Sequence, residues 1–165
     1  MIEKLQGLKI FLILFWEEDE NDFSYLNNIT KCLASMFEGD PENKYIQKAT
    51  FEFFMSNPNS EIFFSKIHEI IKQSINLNRT NSGINHKLSK LLFQIMRLLQ
   101  LFCEGQNADL QKYLSNQINS KNSFDMIGLI ANLATSFKIS EENHDLIDQC
   151  FDTLSQFIQV YIYPI

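Results

Sequence analysis

Apolar residues recur at intervals of three and four along almost the whole chain, and no segment of any length alternates apolar and polar residues. Intervals of three and four place apolar side chains on one face of a helix, whereas a half-buried strand would need apolar and polar residues to alternate. Only five glycines and three prolines interrupt the 165 residues. The pattern predicts an all-α fold, an armadillo- or HEAT-like helical solenoid segment of about eight helices.

Eight segments carry the helical pattern. They are Leu5–Trp16, Leu26–Phe37, Tyr45–Phe54, Ile62–Ile71, His86–Cys103, Leu110–Leu114, Ile127–Ala134 and Leu146–Ile158. A polar, asparagine-rich stretch at 76–87 predicts a flexible connection between two helical parts, residues 1–78 and residues 79–165, of one continuous domain.

The abrupt change from apolar to polar sequence around Gly105 predicts a corner between two helices. Gly105 can adopt the left-handed conformation that ends the first helix, and the Asn107 side chain can cap the first amides of the second. Similar residues mark other predicted helix starts: Asp40 before Pro41, Asn57 before Pro58, Ser123 and Ser140.

Charge and apolar content narrow the classes of partner. The net charge is −6 and no basic stripe is visible, which argues against nucleic acid and against anionic membrane surfaces. The apolar run Ile10–Trp16 is much shorter than the roughly 20 residues of a membrane-spanning helix. The three widely spaced cysteines, Cys32, Cys103 and Cys150, are typical of reduced thiols. Together these features predict a cytoplasmic protein without direct membrane insertion.

No constellation of residues predicts catalysis, a cofactor or a metal. His68, His86 and His144 lack Cys, Asp or Glu partners at ligand spacing. Cys103 falls at a helix C-terminus, which is the wrong end of the helix dipole to stabilise a thiolate. The acidic run Glu17–Asp22 lacks the glycine and glutamate positions of a calcium loop, so a solvated loop is predicted and weak cation binding is left open.

The segment "RLLQLFCEGQNADLQKYLSNQ" resembles the signature of the RIH-associated domain of inositol trisphosphate receptors and ryanodine receptors. The matching positions are Leu99, Gln100, Leu101, Cys103, Glu104, Asn107, Asp109, Leu110 and Gln111. Weaker similarity extends over roughly residues 33–160, and the long charged insert of the family is reduced here to the loop at 76–87.

The resemblance implies a cytosolic regulatory or scaffolding solenoid of an intracellular calcium-release channel. Such a module transmits conformational change through protein–protein contacts, at the cytosolic face of an endoplasmic-reticulum-type membrane. A homotetramer follows only if the module is part of a full channel. The alternative is a free-standing armadillo-like adaptor or scaffold subunit of a large assembly.

Both ends of the chain are rich in apolar residues and lack the polar outer face of a terminal repeat. We therefore expect the ends to dock against protein partners or against further helical repeats of the same chain. The candidate interface residues are Phe11, Phe15, Trp16, Phe157, Tyr161 and Tyr163.

Overall fold

The computed structural model describes residues 2–19, 22–38, 43–80 and 82–162. These ranges contain eight helices: α1 (Ile2–Glu17), α2 (Phe23–Phe37), α3 (Asn43–Ser56), α4 (Ser60–Arg79), α5 (His86–Cys103), α6 (Ala108–Ser115), α7 (Met126–Ser136) and α8 (His144–Ile162). No strand occurs within the same ranges. The all-α prediction is therefore confirmed.

Helices three apart in the chain pack side by side. One row contains α1, α4 and α7, a second contains α2, α5 and α8, and α3 and α6 form a third. The most extensive packing is of α5 against α2 and α8 in the second row. The arrangement agrees with a solenoid in which each element is buried mainly by its neighbours. The arrangement repeats every three helices.

A cluster of aromatic rings joins helices from all three rows. Phe54 of α3 lies at its centre and is fully buried. Five rings surround it at centroid distances of 5.0 to 6.3 Å: Phe53, Phe63, Phe64, Phe102 and Tyr113. Because aromatic pairs at these separations add to the free energy of burial, the cluster fixes α3 against α4, α5 and α6.

The buried face of α5 agrees with its apolar spacing. The predicted inward residues are all buried: Leu88, Leu91, Leu92, Ile95, Leu98, Leu99 and Phe102. On α8 the pattern was misleading, since Phe151 is 58% exposed and Ile158 is 42% exposed. The polar Thr153 is buried instead, because its hydroxyl donates a hydrogen bond to the carbonyl of Met96 at 3.0 Å.

Helix α4 differs from its predicted bounds at both ends. It begins at Ser60, because the Asn57 side chain accepts a hydrogen bond from the amide of Asn59 (2.9 Å) and forms a turn of its own. It continues to Arg79, so the predicted connection at 76–87 shortens to residues 80–85. The boundary predicted between residues 78 and 79 falls at the last residues of α4.

Three of the predicted helix caps, Asn57, Ser123 and Ser140, are wrong, and one lies outside the described residues. Helix α7 is capped by Asp125, whose carboxylate accepts from the amide of Gly128 at 3.0 Å, and not by Ser123. The Ser123 hydroxyl accepts from the amide of Gln117 instead. Ser140 precedes a turn, and α8 begins only at His144. Asp40 lies outside the described residues.

Candidate functional site

The turn from α5 into α6 is made by two residues with left-handed backbone conformations. Gly105 has φ of 70°, as predicted, and Gln106 has φ of 64°, which the sequence did not indicate because glutamine rarely adopts this conformation. The Asn107 side chain accepts from the amide of Leu110 at 3.1 Å and caps α6, which confirms the prediction. We call residues 100–111 the α5–α6 corner.

A buried glutamine from α3 completes this corner. The Gln47 side chain donates to the carbonyls of Leu101 and Glu104, each at 2.9 Å. Its own carbonyl oxygen accepts from the Asn107 side-chain amide at 3.1 Å. The last carbonyls of a helix lack intrahelical partners, so Gln47 satisfies groups that burial would otherwise leave without hydrogen bonds.

Two further glutamines fasten the corner to α8. The fully buried Gln111 donates to the carbonyl of Gln156 at 2.6 Å and to that of Cys103 at 3.4 Å. The Gln100 side-chain oxygen accepts from the Gln149 side-chain amide at 2.6 Å. Helices α3, α5, α6 and α8 are thus joined by side-chain amides within one small region.

The structure brings the signature residues together at this corner. Leu99, Leu101, Cys103 and Leu110 are buried in the core. Gln100, Asn107 and Gln111 make the hydrogen bonds just described, and Glu104 contributes its backbone carbonyl. Asp109 is exposed in the first turn of α6, where its charge complements the helix dipole. The signature therefore specifies a packed corner and its polar connections.

A shallow groove lies beside the corner, along the row of α2, α5 and α8. Its volume is about 330 Å³. Phe93, Gln94, Arg97 and Gln100 of α5 line it together with Lys31, Ala34, Ser35 and Glu38 on one side and Gln149 and Asp152 on the other. We call it the outer groove. Side chains of both charges border it, namely Lys31 and Arg97 with Glu38 and Asp152.

The buried thiols have no catalytic environment. Burial raises the pKa of Cys103 well above its ordinary value and raises the pKa of Cys150 to about 12. Both thiols are therefore protonated at neutral pH, and a protonated thiol is a poor nucleophile and a poor metal ligand. Cys32 is exposed on the outer surface of α2.

The raised pKa of Cys150 predicts that the protein loses stability in alkaline solution. Below pH 9.0, the ordinary pKa of a cysteine, the thiol is protonated in both the folded and the unfolded chain. Its contribution to the free energy of unfolding is then fully present. Between pH 9.0 and about 12 the unfolded chain releases the proton and the folded chain retains it. Through Cys150, the free energy of unfolding should fall by about 1.4 kcal/mol per pH unit in this window. Cys103, whose pKa is also raised by burial, adds a further fall of the same sign. Urea titrations from pH 8 upward would measure it.

The comparison that isolates this effect uses the variant Cys150→Ala. Its slope should be smaller than that of the wild type by about 1.4 kcal/mol per pH unit, and the part that Cys103 contributes should remain. Identical slopes for the wild type and Cys150→Ala would contradict the prediction.

Two of the three histidines have an acidic neighbour. The partner of His144, four residues further along the helix, corrects the prediction that no acidic residue lies at ligand spacing. His68 lies 3.1 Å from the Glu69 carboxylate, and His144 lies 3.1 Å from that of Asp148. Each is a pair, and the described part of the chain contains no group of three or more His, Cys, Asp or Glu side chains that could hold a metal ion. Part of the acidic run Glu17–Asp22 lies outside that description.

Three of the candidate interface residues belong to the core of this chain. Phe15 is fully buried against Phe63, Trp16 stacks on Phe53 at 5.8 Å, and Phe157 is fully buried. These three assignments are corrected. Packing against α3 and α4 covers Phe15 and Trp16 at the end of α1, and Phe157 belongs to the buried face of α8.

Of the other three candidate interface residues, the structure describes the side chain of one. Phe11 is half-buried against the core. The side chain of Tyr161 and the whole of Tyr163 lie outside the described residues. No helix in the described ranges combines the length and apolar character needed to cross a membrane.

Comparison with protein families agrees with the signature. Residues 86–163 match the family described as RyR and IP3R Homology associated, and the match begins at the first residue of α5 and includes the whole α5–α6 corner. This domain is a helical part of channels and is not a known enzymatic family. No curated protein matches the chain at a significant level. The segment from α5 to α8 is therefore similar to the RIH-associated domain of ryanodine and inositol trisphosphate receptors, as the signature predicted.

Proposed function

We propose that the chain serves as a cytosolic regulatory and scaffolding module of an intracellular calcium-release channel of this type. Its task is to pass a change of conformation between neighbouring parts of the assembly through protein–protein contacts. The family match at residues 86–163 supports the channel context, and the three-row solenoid supports a mechanical role.

The observation that carries this proposal is the set of hydrogen bonds that the signature residues form. Gln100, Asn107 and Gln111 each form a side-chain hydrogen bond to another helix of the same chain. A buried amide deprived of its partner costs about 1–3 kcal/mol, so these contacts oppose sliding of one helix past the next. Rigid elements of this kind can carry a displacement from one surface to another.

The outer groove is the surface that we assign to a partner in this function. Lys31 and Glu38 border it at α2, and Asp152 borders it at α8. Its floor includes Arg97, which donates to the side-chain oxygen of Gln100 at 3.2 Å and thus touches the corner network directly. A partner segment seated in the groove would therefore contact the same side chains that connect α5 to α8.

Isolation of the native assembly tests the proposal. The complete protein that contains these residues would be tagged in its own cells, purified from membranes in mild detergent and reconstituted into vesicles that hold a calcium-sensitive dye. We expect a calcium-conducting complex that includes a pore-forming chain. The variant Gln47→Leu, which disconnects α3 from the corner, should reduce ligand-triggered calcium release while the complex still assembles.

A matched control is available on the same helix. Lys48 is 75% exposed at its side chain and makes only a 3.9 Å contact with Glu52, so Lys48→Gln should leave calcium release unchanged. A purified assembly without a pore-forming chain and without calcium flux would contradict the channel role and favour the adaptor alternative.

A further inference from the structure

Lys66 of α4 is a buried cation aimed at the end of another helix. The residue is only 9% exposed. Its ammonium donates to the carbonyls of Phe15 and Trp16, each at 2.8 Å, and also to the carbonyl of Glu18. The same nitrogen lies 5.9 Å from the centroid of the Phe15 ring, within range of a cation–π contact.

The oxygens around this ammonium are arranged as a cation site. Helix α1 ends at Glu17, so its last carbonyls have no intrahelical partners and carry the negative end of the helix dipole. Oxygens from three residues converge on one point, and backbone carbonyls are ligands that hard cations and ammonium groups share. The acidic side chains of Glu17, Glu18 and Asp19 follow directly and increase the negative potential there.

We propose that the C-terminus of α1 is a cation-binding site whose occupant is the ammonium of Lys66. By filling this site, Lys66 holds the acidic segment after α1 against α4. When Lys66 is removed, the site accepts a primary alkylammonium or a hard metal cation in its place. This role does not depend on the proposed channel function, because it rests only on contacts between α1 and α4.

Limited proteolysis at glutamate tests the holding role. Lys66→Met keeps much of the apolar stem but removes the charge, so a glutamyl endopeptidase should cut after residues 17 and 18 at least about tenfold faster than in the wild type. The turn at Glu141 and Glu142 provides an internal reference, and cleavage there should not change. Lys72→Met removes an exposed lysine of the same helix and should leave both rates unchanged. If Lys66→Met resisted cleavage after residues 17 and 18 as well as the wild type does, the proposal would be overturned.

Replacement of the cation tests the site itself. In Lys66→Ala, n-propylammonium supplies the missing carbons and the charge, so it should restore resistance to cleavage, and 1-propanol at the same concentration should not. Terbium(III) should bind to this variant and be sensitised by Trp16, the single tryptophan of the chain, with no such luminescence in the wild type.

The comparison of n-propylammonium with 1-propanol still tests the proposal if Lys66→Ala unfolds the chain. Recovery of helical circular dichroism with n-propylammonium, but not with 1-propanol, would then support the proposal. A variant that shows neither rescue by the ammonium nor terbium luminescence would show that apolar packing alone holds α1, and the inference would be wrong.

Discussion

Replacement of Phe54 with alanine is expected to lower the free energy of unfolding by about 3–5 kcal/mol. The Phe54 ring is fully buried and touches five other aromatic rings drawn from four helices. Its removal leaves a cavity that these rings cannot all collapse to fill, because they are held by four different helices. Urea denaturation followed by circular dichroism would show a lower midpoint with an unchanged slope.

Ile139 provides the control for this loss. It is an apolar side chain of comparable size, but it is 83% exposed in the loop before α8. Ile139→Ala should therefore change the free energy of unfolding by less than about 0.5 kcal/mol. Equal effects of the two substitutions would show that the aromatic cluster is not the centre of the core.

The second large effect is expected at Gln47. Gln47→Leu preserves the approximate shape of the side chain but removes three hydrogen bonds, leaving the carbonyls of Leu101 and Glu104 without this donor. We expect the free energy of unfolding to fall by about 2–4 kcal/mol, since each buried polar group left unsatisfied costs about 1–3 kcal/mol. The measurement is again a urea titration, with Lys48→Gln as the exposed neighbour on the same helix.

A double-mutant cycle makes this prediction specific. Asn107 shares a hydrogen bond with Gln47, so the losses of Gln47→Leu and Asn107→Ala should not add, and the coupling should exceed about 0.5 kcal/mol. Strict additivity would indicate that the two side chains act independently, and the account of the corner would have to be revised.

The fold was predictable where the information is local. The spacing of Leu92, Ile95 and Leu99 alone identifies the buried face of α5, because residues three and four apart share a side of a helix. The same reasoning failed for Phe15 and Trp16. Their apolar run has no polar side, so the sequence could not distinguish a face covered by Phe53 and Phe63 from one left free for a partner.

The site was predictable only in part, for a similar reason. Gly105 and Asn107 occupy positions where the backbone favours these residue types, so the corner could be recognised in advance. Gln47 lies 54 residues before Leu101, and no local pattern relates the two. The rigid connection between α3 and the corner therefore emerges only from tertiary structure, as does the burial of Lys66 against α1.

Helix α6 has a consequence for how the domain opens. It contains eight residues, which is too short for a helix to be stable alone in water. Gln47 of α3 binds the cap residue at its start, and the Tyr113 hydroxyl near its end bonds Asn119, which in turn donates to the carbonyl of Phe54 in α3. The backbone amides of α6 should consequently exchange with deuterium faster when α3 separates from it, although Gln111 still binds α6 to α8. The deuterium exchange rate at residues 110–115 thus reports on the docking of α3, a helix that lies before the matched domain begins.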